Sequence, residues 1–255
     1  MSSTNLEKRM HALFTNGFCA YDIAEPLLIV EDISNSDVKK IQADLNGQLL
    51  FGVLREGKVS GYMVGDALSN VVEIKPDQLV SQEATYQQVI SVLDHHEYCF
   101  VTFLGQVSGV ITRNEMQKPS VRMWLFGMMT ITEMFVVSLI ETYATEARWQ
   151  QYLSPGRLKK ATALQNECKR RKQDRSLLNC LTVSDRFQIV IKDEKLIGFF
   201  EFESKTQAQS LVSKFESLRN NLAHGEDIVS YDWDLIVLLS GRVEKIMNRL
   251  SFDLH

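Results

Sequence analysis

The segment LRNNLAHG, Leu218–Gly225, concentrates the side chains of this sequence best suited to chemistry. On a helix, Asn220 and His224 are four apart and stack on one face. Arg219 stands about 100° round from Asn220, and its long side chain can swing toward the same opening. Leu218 and Leu222 flank the set and would hold it against a core. An imidazole gives or takes a proton near neutral pH, and a guanidinium stabilises charge that builds on an anion. The same residues also suit a plainer role, in which Arg219 and Asn220 bridge or cap helices and His224 ends one just before Gly225.

The elements that must position this segment read as helices. Pro119 suits a first helical turn, and the pattern runs on to about Gln151, before the breaker Ser154-Pro155-Gly156. A basic amphipathic helix follows over Arg157–Arg175, then a shorter helical stretch, FQIVIKDEKL, with Ser184 and Asp185 as its cap. Thr206–Leu218 and Trp233–Leu250 complete four or five helices with short connections, which argues for a bundle. Lys159, Lys160, Lys169, Arg170, Arg171, Lys172 and Arg175 make a basic run that could follow a phosphate backbone or simply face water. Glu133, inside the first helix, is either a partner for Arg219 or another cation, or the edge of an apolar face.

The N-terminal half repeats itself. GKVSGYMVGDAL from Gly57 and GQVSGVITRNEM from Gly105 share Gly57/Gly105, Val59/Val107, Ser60/Ser108 and Gly61/Gly109 at one constant offset, and Val53/Val101 and Leu45/Leu93 keep that register upstream. Each unit reads as an extended segment (Leu27–Val30, Val71–Lys75), a short helix (Asp37–Leu45, Thr85–His95), a strand (Leu49–Arg55, Cys99–Leu104), a glycine turn and a second strand (Val59–Val64, Val107–Thr112). His95 and His96 close the second of these helices. The expected fold class is α+β: a lead-in over residues 1–20, β-α-β-β repeats of about 21–70 and 71–118, and an all-α bundle over 119–255.

The repeat pair, ending in Gly-Val-Ile-Thr-Arg-Asn-Glu, resembles the CBS domain, more closely in the second copy than in the first copy's GYMVGDA. The resemblance implies a regulatory adenosine nucleotide (AMP, ATP or S-adenosylmethionine), held through Thr112 and Glu115. Glu115 stands where the family usually has Asp, and the first copy offers only Val64 and Ala67, so at most one site is expected. Without such a ligand, Thr112 would end a strand and Glu115 would be surface charge.

The helical half resembles the HEPN family, whose motif is Arg, often a polar residue, then His, late in a bundle, matched here by Arg219, Asn220 and His224. The resemblance implies metal-independent RNA cleavage, or binding without cutting, at a homodimer interface; the apolar face around Phe126, Met129 and Phe135 would supply dimer contacts. RNA brings its own 2′-hydroxyl nucleophile, so no catalytic cofactor is required, and no acidic or histidine cluster suggests a metal. A base and an acid imidazole acting together would give a bell-shaped rate about the imidazole range near 6.5.

Composition bounds these readings. A chain of 255 residues, 45% hydrophobic and 24% charged, has room for two domains with real cores. Its net charge of -4 excludes a global attraction to nucleic acid, leaving only local basic patches. Cys19, Cys99, Cys168 and Cys180 match no metal or redox spacing and read as free thiols in a reducing compartment, and the N-terminus has no signal peptide, so a cytoplasmic protein is expected. Residues 121–140 are apolar enough to span a membrane, but Glu133 and Arg122 favour a buried helix and no membrane.

Overall fold

The computed structural model describes residues 12, 14, 16–31, 50–64, 71–200, 202, 204–230 and 232–241. The chain divides into two compact units, Thr15–Val121 and a second made of Met1–Phe14 with Arg122–His255. The architecture is α+β, with two four-stranded sheets in the first unit and helices in the second.

In the first unit, β1 (Glu25–Pro26), β2 (Leu28–Glu31), β3 (Leu50–Arg55), β4 (Lys58–Val64), β5 (Val72–Glu73), β6 (Leu79–Ser81), β7 (Cys99–Phe103) and β8 (Gln106–Ile111) form sheets of order β2-β3-β4-β5 and β1-β8-β7-β6. The sheets copy one another. β2 runs parallel to β3 as β6 does to β7, and the hairpins β3-β4 and β7-β8 are antiparallel. The bulges fall at Val53/Leu54 and at Val101/Thr102, one repeat apart. Gly57 and Gly105 make the two hairpin turns at φ of 76° and 77°, a conformation that favours glycine.

The repeats also exchange strands. β1 opens the first repeat but pairs with β8 of the second, and β5 opens the second repeat but pairs with β4 of the first. This exchange explains the shared Gly61 and Gly109. A Cβ on Gly61 would lie 2.9 Å from the Val72 carbonyl, and one on Gly109 would lie 3.2 Å from that of Glu25. The extended segment Val71–Lys75 contains β5, which pairs on the other repeat's sheet, while β6 lies next to β7.

Leu27, Val59, Ile74, Phe100, Val107 and Val110 make a core between the two repeats, with Tyr62 against Tyr98 and Phe100 at 5.4 and 5.1 Å. Helix α1 (Tyr86–His95) starts at a Thr85 capping box and buries Val89, Ile90 and Leu93. The first-repeat helix expected over Asp37–Leu45 lies outside the described residues, as do Leu49 and Ala67.

In the second unit, α2 (Pro119–Tyr143) is shorter than the run to Gln151: Thr145 restarts the chain as α3 (Glu146–Gln150). α2 is long and apolar enough to cross a membrane by length and composition, but 61% of its most apolar stretch is buried within the protein. α4 (Pro155–Arg170) ends five residues before Arg175. α5 (Val183–Lys192) is capped by Thr182, with Asp185 completing the capping box, rather than by Ser184. Asp193 ends that helix and caps α6 (Glu194–Ile197), so FQIVIKDEKL is two helices. α7 (Lys205–His224) runs six residues past Leu218, and residues 232–241 are helical. The end expected for that last helix, residues 242–250, lies outside the described residues.

Candidate functional site

α7 begins at Ser204, whose hydroxyl caps it, and buries Ala208, Phe215 and Leu218 against α5, where Phe187 meets Phe215 at 5.4 Å. That packing sets the rotation of the helix and turns Arg219, Asn220 and His224 outward. The last turn is fastened firmly. The Asn221 carbonyl accepts from the backbone of Gly225 and of Glu226, the latter at 3.0 Å, and from the Arg122 guanidinium at 2.9 Å, while the Asn221 amide donates to Asp232 at 2.8 Å. Arg122 also donates to the Glu226 carbonyl at 2.9 Å. A cation at a helix C-terminus satisfies both the orphan carbonyls and the dipole. His224 thus ends a rigid helix before Gly225, which takes the left-handed conformation at φ 75°.

Arg219 and Asn220 line a polar cavity of about 460 Å³ together with Glu133, Thr182, Arg186 and Glu216. The Arg219 Nε lies 3.2 Å from Glu133, so the carboxylate in α2 is indeed an ion-pair partner for that arginine. Arg186 faces the same carboxylate at 3.9 Å and donates to the Leu178 and Asn179 carbonyls at 3.3 Å each. Burial lowers the Arg186 pKa, and Glu133 opposes that shift. Ser184 donates to Glu216 at the rim. Two guanidiniums and two carboxylates therefore share the cavity, which balances its charge and gives an incoming anion a competitor in Glu133. His224 does not line the cavity; it is exposed and has no hydrogen bond or ion pair among the described residues. The structure brings Arg219 and Asn220 together with Glu133 and leaves the imidazole a turn further along α7.

Where this cavity takes an RNA phosphate, Glu133→Gln is expected to tighten it about fivefold, because a partly exposed pair of this kind contributes up to ~1 kcal/mol. It is also expected to lower the melting temperature by a few degrees, since the largely buried Arg186 loses its carboxylate. Fluorescence anisotropy and a thermal melt measure both; unchanged affinity would make the pair purely architectural.

On the basic helix, Arg170 and Arg171 both pair with Glu167, while all seven cations of the run are exposed. Of the residues expected on an apolar dimer face, only Phe126 is exposed, as is nearby Met123; Met129 and Phe135 are 1% and 2% exposed and belong to the core, so that expectation is corrected for those two.

In the first unit, Thr112 caps a 3-10 turn, Arg113–Gln117. The Glu115 carboxylate accepts from the Thr112 backbone and hydroxyl at 2.6 and 2.7 Å, so these two residues are spent on one another. Thr112 still borders a cavity of about 470 Å³, with Asp94, His95, His96, Glu97, Tyr98, Arg113 and Asn114; Glu115 is not among its lining residues. His96 meets Asp77 at 3.1 Å, and Arg113 donates to the Leu93 carbonyl at 3.1 and 2.9 Å. Val64 is exposed at the end of β4.

Sequence reasoning passed over Arg186, Asn221, Asp232 and the structural task of Arg122. Arg186 sits one residue after an acidic cap, where arginines commonly face water, and nothing in its spacing points to burial beside Glu133. No family model matches this chain, and neither a curated protein nor a solved structure was found to be similar to it.

Proposed function

We propose that the protein is a ligand-regulated, metal-independent endoribonuclease, in which a CBS-type repeat pair senses an adenosine nucleotide and a HEPN-type helical domain cuts RNA. The observation that carries this reading is the placement of Arg219 and Asn220 in the wall of a polar cavity beside Arg186, with the exposed, unengaged imidazole of His224 on the same helix. The guanidiniums would bind the scissile phosphate and take up charge in the transition state. An imidazole removes the 2′-hydroxyl proton, the oxygen attacks the adjacent phosphorus, and the 5′-oxygen leaves with a proton from the acid. The products are a 2′,3′-cyclic phosphate and a 5′-hydroxyl. Each chain has one such histidine, so the second proton carrier is the His224 of another copy in a homodimer, or water. RNA incubated with purified protein in EDTA tests the proposal: cleavage that disappears in His224→Ala supports it, and cleavage that survives that change refutes it.

A second reading is a non-catalytic sensor that only binds or dimerises. It is favoured by the Arg219–Glu133 pair and by the place of His224 outside the cavity.

The sensing role rests on the repeated, strand-exchanged sheets and on the Thr112 cavity. One adenosine nucleotide per chain is expected there, beside Thr112 and Tyr98. Thr112→Val should weaken AMP about tenfold by calorimetry, because it removes the part-buried hydroxyl that borders the cavity and holds Glu115; Val64→Ala should not. Heat that is absent at millimolar AMP, ATP and S-adenosylmethionine would reduce the pair to a spacer. A cytoplasmic setting belongs to the same proposal.

A further inference from the structure

A cavity of about 770 Å³ opens on the sheet β1-β8-β7-β6, and it shares no lining residue with the Thr112 cavity. Its size is that of a small-molecule site. Three backbone ties hold its walls: Tyr21 N–H donates to the Gln82 carbonyl at 3.0 Å, Gln82 N–H to that of Thr102 at 3.0 Å, and Leu27 N–H to that of Ser108 at 3.1 Å. Loops fixed in this way lose little entropy when they bind. Small residues line the cavity where the strands exchange: a Cβ on Gly109 would lie 3.2 Å from that of Ala24. At the rim stand two aromatic rings left in water, Tyr21 at 72% exposure and Phe103 at 48%. Folding alone gives no reason to expose both beside one hollow.

The lining chemistry narrows the ligand. Glu25 and Glu83 contribute carboxylates, the latter accepting from the Gln82 amide at 2.7 Å and the Ser81 hydroxyl at 3.0 Å, and Ser108 contributes a hydroxyl, whereas among the described residues no lysine, arginine or histidine lines the cavity. Lys118 pairs with Glu25 from outside the lining. A phosphate placed here would meet two carboxylates, with Lys118, the nearby cation, already paired to Glu25. A flat, positively charged ring would meet aromatic faces and negative charge together, the two partners that cations of this kind prefer.

We infer that this hollow is a second ligand site, which takes a flat organic cation no larger than a nucleoside and rejects phosphorylated ligands. Cys19 at its edge supplies a reporter: it is partly exposed, while the other three cysteines are buried.

Proflavine, a fluorescent planar cation, is the probe. Titrated into the full-length protein, it should bind saturably at one site per chain and slow the alkylation of Cys19 by iodoacetamide about fivefold or more, read by mass spectrometry of the Cys19 peptide. Millimolar AMP should give no such protection. Phe103→Ala and Glu83→Lys, both at exposed positions, should each weaken proflavine about tenfold without changing the circular dichroism spectrum. Thr112→Val should leave it unchanged. Absence of saturable binding, protection by AMP equal to that by proflavine, or binding untouched by both Phe103→Ala and Glu83→Lys would overturn the inference.

Discussion

Arg219→Lys is expected to lower RNA cleavage by about 10²–10³-fold, the loss seen when one preorganised donor to transition-state charge is removed. Lysine keeps the charge and can still reach Glu133, so stability should stay within ~1 kcal/mol of the wild type. It lacks the planar fork that contacts two phosphate oxygens at once. The loss should therefore fall on turnover more than on RNA binding, which a charge alone largely maintains. Single-turnover kinetics with a short labelled RNA, alongside a thermal melt, separate the two. Equal activity of the lysine variant would mean that Arg219 serves only its ion pair.

The largest stability effect is expected at Asp193, which is 0% exposed. Its carboxylate accepts from Arg148 at 3.1 Å and from Tyr152 at 3.3 Å, and also from the backbone of Lys195 and Leu196 at 3.0 and 3.2 Å. Asp193→Ala removes a helix cap and leaves those donors without an acceptor, at a cost of about 3–4 kcal/mol. For a helical unit of this size the melting temperature should fall by ~10 °C. Asp193→Asn, which keeps an acceptor oxygen for the cap, should cost about half as much. A shift below ~2 °C for the alanine variant would show that the α5–α6 junction does not depend on this carboxylate.

The contrast between what was legible and what was not has physical causes. The repeat offset located both hairpins and both glycine turns, because turn chemistry and strand alternation are local. The strand exchange was hidden, since β1 and β5 are two residues each and too short to show a period. The break at Asp193 lies inside the charged run Lys192–Lys195, which the exposed face of one continuous helix could equally carry, and only the buried carboxylate reveals a new cap. The exposed side of α2 was misread for a similar reason. That helix is apolar nearly all round, so its period cannot tell Met129 and Phe135, which are buried, from Phe126, which is not. At the candidate site, the outward turn of Arg219, Asn220 and His224 followed from Leu218 and its spacing, whereas the company of Glu133 and Arg186 depends on tertiary packing that no local pattern encodes.

The most direct test of the central claim is the chemistry of the RNA ends. Purified protein should cut a short RNA in excess EDTA and leave a 2′,3′-cyclic phosphate on one product and a 5′-hydroxyl on the other, and His224→Ala should produce neither. An RNA that stays intact, cutting that requires a divalent metal, or products ending in a 3′-hydroxyl and a 5′-phosphate would contradict the account.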